Sequence, residues 1–110
     1  MNFEVFTSSL FEKELKSINK KYPSLYHDLA SLISALEENP FSGSSLGKNC
    51  YKIRMAITSK GKGKSGGARI ITCVKVMNQS VFLLSIYDKS EKETTEDGEL
   101  IMLLKAAGLL

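Results

Sequence analysis

Acidic residues are missing from one long stretch of this 110-residue chain: between Asn39 and Tyr87 there is neither Asp nor Glu. Other scarcities exclude whole classes of function. There is one histidine, His27, and there are two cysteines, Cys50 and Cys73, without C-x-x-C spacing, so a zinc site built from them cannot be completed. The two thiols read instead as buried strand residues in a reducing compartment. No apolar run reaches the ~18–20 residues of a membrane span, and the start, Met1-Asn2-Phe3-Glu4, lacks the basic segment of a secretory signal. A cytoplasmic chain without a membrane partner is expected. No Ser-His-Asp constellation is present, and the acid-free stretch cannot supply a carboxylate pair or an aspartate-held metal.

What that stretch does hold is Lys48, Lys52, Arg54, Lys60, Lys62, Lys64, Arg69 and Lys75. The rest of the chain has seven basic and twelve acidic residues, so the net charge of +3 hides a strong internal asymmetry. Such a distribution predicts one positive face aimed at a polyanion, nucleic acid first among them. Length predicts one domain over residues 1–110, and 43% apolar residues fit a packed globule rather than a disordered chain.

Residues 2–7 alternate apolar and polar as a short strand does. Ser8 or Ser9 can cap a helix, and Ser9 with Glu12 has capping-box spacing. Leu10, Phe11, Leu15, Ile18 and Tyr22 then form a helical stripe that Pro23 ends. Ser24 offers a second cap, followed by the stripe Leu25, Leu29, Leu32, Ile33 and Leu36 up to Asn39-Pro40. The short link predicts an antiparallel helical hairpin. Residues 39–49 read as a loop. Period-two strands are expected over 50–58, 69–77 and 81–87, with a basic, glycine-rich tip at 59–67 and a tight turn at Asn78-Gln79. Thr94 or Thr95 can cap a last helix whose Glu96, Asp97 and Glu99 suit the helix dipole. The order β-α-α-β-β-β-α predicts an α+β domain: a small antiparallel sheet with the helical hairpin on one face and a C-terminal helix.

Strand alternation turns Tyr51, Ile53, Met55 and Ile57 toward the helical hairpin, and Lys52 and Arg54 to the other face. Arg69 and Lys89 can join that surface. Like charges gathered on a rigid sheet repel one another, which favours an anion-binding role over stabilisation, although a solvated face that keeps the protein soluble is the simpler alternative. Gly63-Lys64-Ser65 fits the end of a phosphate-loop pattern, but its first glycine position is Thr58 and no helix follows, so nucleoside triphosphate binding is rejected. Lys60, Lys62 and Lys64 can still lie along a nucleic-acid backbone, or form an ordinary mobile tip. Tyr51 and Tyr87 can stack on bases or pack in the core. His27, isolated on a helix, is read as a surface or packing residue. In the final helix Leu100 to Leu104 are apolar on all sides, so part of that surface is either buried or covered by a partner.

Three segments in this order, Cys50-Tyr51-Lys52-Ile53-Arg54, Gly63 through Ile71, and Ile86-Tyr87-Asp88-Lys89-Ser90-Glu91-Lys92, resemble the RelE/ParE superfamily of toxins from bacterial type II toxin–antitoxin modules, on its HigB/RelE-like side. The resemblance covers nearly the whole chain and implies the same fold. It also implies a cognate antitoxin partner and cleavage of messenger RNA, usually on the ribosome, with no cofactor or metal. The basic strand positions that carry the chemistry would be Lys52, Arg54, Arg69 and Lys89, with Lys60, Lys62, Lys64, Lys92 and Tyr87 contacting RNA. A gyrase poison of the ParE kind and a non-catalytic RNA-binding module are the alternatives. The last-helix tyrosine of RelE falls here at Thr95, a departure that leaves its acid–base role vacant or moved to another residue.

RNA carries its own nucleophile, so a protein need only align the 2′-hydroxyl, move two protons and stabilise the phosphorane oxyanion. Arginine's planar donors suit the oxyanion, which puts Arg69 and Arg54 in that role. Lys52 is the candidate base or charge stabiliser, and Lys89 the candidate acid or second phosphate clamp.

Overall fold

In the computed structural model, which describes residues 2–92 and 97–110, the chain forms a five-stranded sheet with helices on both faces. Strand β1 (Glu4–Thr7) leads into helices α1 (Ser9–Asn19) and α2 (Leu25–Glu38). Strands β2 (Ser44–Gly47), β3 (Cys50–Met55), β4 (Ala68–Lys75) and β5 (Ser80–Asp88) follow, then helix α3 (Asp97–Ala106). The sheet order is β1-β5-β4-β3-β2.

Three features depart from the sequence reading. The first is β2, inside the segment read as a loop. It pairs antiparallel with β3 through Ser44–Lys52 and Ser45–Tyr51, then bulges before Gly47. The second is β1, which lies parallel to β5 from Glu4–Ser80 to Thr7–Leu83, so the sheet is mostly rather than wholly antiparallel. The third is the turn between β4 and β5. It is a 3-10 turn over Val76–Asn78 closed by Gln79 in the left-handed region, longer than the two-residue turn expected at Asn78-Gln79. The caps shift too. Ser8, not Ser9, caps α1, its hydroxyl oxygen accepting from the Phe11 amide at 3.1 Å. The cap residues expected for α3, Thr94 and Thr95, and the dipole partner Glu96 lie outside the described residues.

The core has two halves, one on each face of the sheet. Phe11, Leu15, Leu25, Leu29 and Leu36 of the helical hairpin pack on Ile53, Met55, Ile70, Val74, Leu83 and Ile86. On the opposite face Leu100, Leu103 and Leu104 of α3 pack on Cys50, Ile71, Cys73, Leu84 and Tyr87. Met102 stays 70% exposed while Leu100, Leu103 and Leu104 seat α3 on the sheet. Where β1 ends, α1 takes over the open edge of β5: the Glu14 carboxylate accepts from the Ser85 hydroxyl at 2.8 Å and from the Ile86 amide at 3.2 Å. An edge amide that would otherwise lack a partner is thereby satisfied.

Candidate nucleic-acid interface

Period two and the strand register fix where the cations go. Arg54 on β3 opposes Arg69 on β4, and Arg69 opposes Tyr87 on β5. Lys52 opposes Ile71 one step along. Directly opposed residues share a sheet face, so Lys52, Arg54, Arg69 and Tyr87 lie on the face away from the helical hairpin. That face is not fully open as expected, because α3 covers it from Ile71 toward Cys50 and Cys73. The cationic row lies beyond this cover.

Within the row the side chains differ. Arg54 is exposed and Lys52 half-buried. Arg69 is only 5% exposed. Its Nη1 donates to the carbonyls of Lys64 at 2.9 Å and Ala68 at 3.1 Å, and its Nη2 to that of Ser65 at 3.2 Å. The guanidinium therefore clamps the basic loop from beneath rather than facing solvent. Tyr87 is 8% exposed, packed with α3, and covered by the Lys92 ammonium at 4.9 Å from its ring centre. Lys92 also pairs with Glu99. In this arrangement the Tyr87 ring is packed away from solvent, unlike the open stacking face expected of it. Tyr51 packs at the hairpin-side core, edge-on to Phe41.

The loop is anchored at both ends. At its start the Thr58 amide and hydroxyl donate to Asp28 at 2.9 and 2.6 Å, and the Ser59 amide donates to the Ser24 hydroxyl at 2.9 Å. Burial pushes Asp28 up, but these Thr58 bonds and the Ser24 hydroxyl outweigh it and hold the carboxyl below its ordinary range. At its end the Lys89 amide donates to Gly67 at 3.0 Å. Gly67 has to be glycine, since a Cβ there would stand 2.1 Å from the Met55 carbonyl oxygen. Lys60 is not the free phosphate contact the sequence suggested. Its Nζ lies 2.6 Å from Asp88 Oδ1, with both side chains largely buried, and 5.5 Å from the Tyr22 ring centre. Tyr22 and Ser90 also donate to Asp88. Burial alone would raise Asp88; the Lys60 ammonium and the Ser90 and Tyr22 donors reverse this and bring it down to about 2. The same hydrogen bond to Asp88 raises Lys60.

Lys62 and Lys64 remain exposed on the loop, and Lys89 half-buried just past the end of β5. At the start of β2, the edge of β3 opens into a cavity of about 400 Å³ lined by Lys52, Arg54 and Lys64, Ser42 and Ser44, and apolar Leu32 and Ile53. Gly43 forms part of its wall in the left-handed region, φ 95°, and a Cβ there would fall 2.4 Å from the Lys52 carbonyl oxygen. The sequence reading missed this cavity, because the serines and Gly43 lie in the segment it treated as a loop. Three cations, two serines and an apolar wall make a site for a phosphate with a ribose or base attached.

Comparison with known proteins agrees with this architecture. A family model described as the RelE toxin of the RelE / RelB toxin-antitoxin system matches residues 4–110. Eight solved chains match. One of them, E. coli toxin RelE as a double arginine-to-alanine mutant in the free state, is similar over 98% of this chain and 96% of its own. The TM-score is 0.63 at 17% identity, a likeness of fold. No curated protein matches. With the family match running over nearly its whole length, the chain belongs to the RelE toxin family.

Proposed function

We propose that this toxin is an mRNA endoribonuclease acting in the cytoplasm, and that the exposed cations around the β3 edge hold the scissile linkage. The observation that carries the reading is the cavity shared by Lys52, Arg54 and Lys64, three cations from the acid-free stretch of the chain. The substrate's 2′-oxygen attacks the adjacent phosphorus while the bond from phosphorus to the 5′-oxygen breaks. One proton leaves the 2′-hydroxyl and one reaches the 5′-oxygen, giving a 2′,3′-cyclic phosphate and a 5′-hydroxyl. Arg54 supports the equatorial oxygens, with Lys52 as base or charge stabiliser. Lys89 protonates the leaving oxygen or clamps the next phosphate, and Lys62 and Lys64 track the strand. Arg69, which the sequence put at the transition state, acts here by holding Lys64 in the cavity wall. The family's pairing with RelB supports an antitoxin partner that covers this cationic surface with acidic residues.

The test is incubation of the protein with ribosome-bound message in EDTA, with mapping of transcript ends. Wild type should leave cyclic-phosphate and 5′-hydroxyl ends, and Arg54→Ala should lose about 100-fold or more, as for removal of an oxyanion donor. Full cleavage by the Lys52→Ala, Arg54→Ala double variant would sink the assignment. The gyrase alternative, which the family match does not favour, predicts inhibited supercoiling and intact message.

A further inference from the structure

The RNA reading leaves both cysteines unused. Cys50 opens β3, and Cys73 lies directly opposite it on β4. The Val74 amide donates to the Asn49 carbonyl at 2.9 Å, just outside this pair. That bond makes Cys50–Cys73 a non-hydrogen-bonded pair, the kind in which opposed Cα atoms approach to about 4.5 Å. A disulfide spans Cα separations of about 4.4–6.8 Å, so the strands already stand within its reach.

The surroundings favour thiol chemistry. The neighbouring Cys50 thiol and Lys75 hold Cys73 below the ordinary thiol range against burial, and Cys50, whose Sγ donates to the Lys48 carbonyl at 3.4 Å, is raised. Cys50 directly follows a turn in which Lys48 and Asn49 both take left-handed backbone angles, φ 54° and 60°. The pair thus sits at the end of the sheet, beside a tight hairpin turn whose opening would admit a small reagent. Leu46 and the α3 leucines close over the thiols and leave little room for a lasting adduct.

We propose that Cys50 and Cys73 are a redox pair that forms an intramolecular cross-strand disulfide with a small-molecule disulfide as oxidant. The Cys73 thiolate attacks one sulfur of the oxidant, breaking its S–S bond and releasing one thiolate. Cys50 then gives up its proton and attacks Cys73 in the mixed disulfide, releasing the second. The two cysteines are oxidised together by two electrons, the oxidant becomes two thiols, and these take up the protons. The new bond would close the segment between Cys50 and Cys73, which holds Lys52, Arg54 and the whole basic loop.

The test is incubation of the full chain, folded by circular dichroism, across glutathione redox ratios. Remaining thiols are then alkylated and the intact mass is read. The expected product has lost two hydrogen atoms and both alkylation sites, carries no glutathione at the plateau, and unfolds at a higher temperature. Cys50→Ser and Cys73→Ser should each lack that product. Two alkylatable thiols persisting at the most oxidising ratio, a stable glutathione adduct on wild type, or bridging only in denaturant would each overturn the proposal. Because wild type alone decides the result, a variant that fails to fold leaves the test intact. The outcome is also independent of RNA cleavage.

Discussion

Arg54 and Arg69 face each other across β3 and β4, yet one meets solvent while the other is held by three backbone carbonyls. Their substitutions should therefore separate. Arg54→Ala should change unfolding free energy by less than about 0.5 kcal/mol while slowing RNA cleavage by about 100-fold or more. Arg69→Lys should cost about 2 kcal/mol, because an ammonium cannot fork to carbonyls that a planar guanidinium reaches together. Urea unfolding beside end-mapping checks both. Equal stability of Arg69→Lys and wild type would refute the clamp.

The lysines of the loop should separate in the same way. Lys62 and Lys64 are exposed, whereas Lys60 is buried against Asp88. Removing a lysine that contacts RNA phosphate should lower the slope of log affinity against log salt by about 0.7 for single-stranded RNA. Lys62→Ala and Lys64→Ala should show that reduction in a salt titration. Lys60→Ala should instead unfold more easily and, where folded, keep the wild-type slope.

Much of this division follows from which interactions a sequence displays. Alternation in Lys52, Ile53, Arg54 and Met55 shows which side chains leave the core, and it assigns their faces as found. Arg69 follows the same alternation, but its partners are main-chain carbonyls, which no residue pattern announces. Lys60 meets its carboxylate 28 positions later, through folding alone. Strand β2 was illegible for a related reason. Ser44-Ser45-Leu46-Gly47 has one apolar side chain and turn-forming neighbours, and becomes a strand only because β3 offers it an edge.

The Lys60–Asp88 pair predicts a pH dependence. Asp88 is held at about 2 against an ordinary value of 3.8, so the folded state binds this proton less readily than the unfolded chain. The resulting stability is present above pH 3.8 and lost as pH falls through 2. For a carboxylate 3% exposed it amounts to roughly 2 kcal/mol. Glu14 has the opposite sign: burial raises it, despite the Ser85 and Ile86 hydrogen bonds and nearby Lys92, so its contribution fades as pH rises from 4.5 through its folded value. Thermal unfolding across acid pH should show a loss below pH 3.8 that is flattened in Asp88→Asn.

Thr72 is fully buried and its hydroxyl has no hydrogen-bond partner among the described residues. Valine has nearly the same shape without the unsatisfied group. Thr72→Val should therefore raise stability by about 1 kcal/mol in urea unfolding, with the fold unchanged. A loss of stability would show that the hydroxyl is satisfied in solution.

The parallel seam between the first and last strands sets a condition on how the molecule assembles. Ser8 meets Leu84 across 76 positions, and β1 pairs in register with Ser80 to Leu83 of β5. Loop closure over such a separation carries a large entropic cost before any contact rewards it, which slows folding in proteins dominated by distant pairings. During synthesis β1 has no strand partner until β5 has emerged. A nascent fragment that stops short of β5 can form the helical hairpin but leaves β1 without its strand partner.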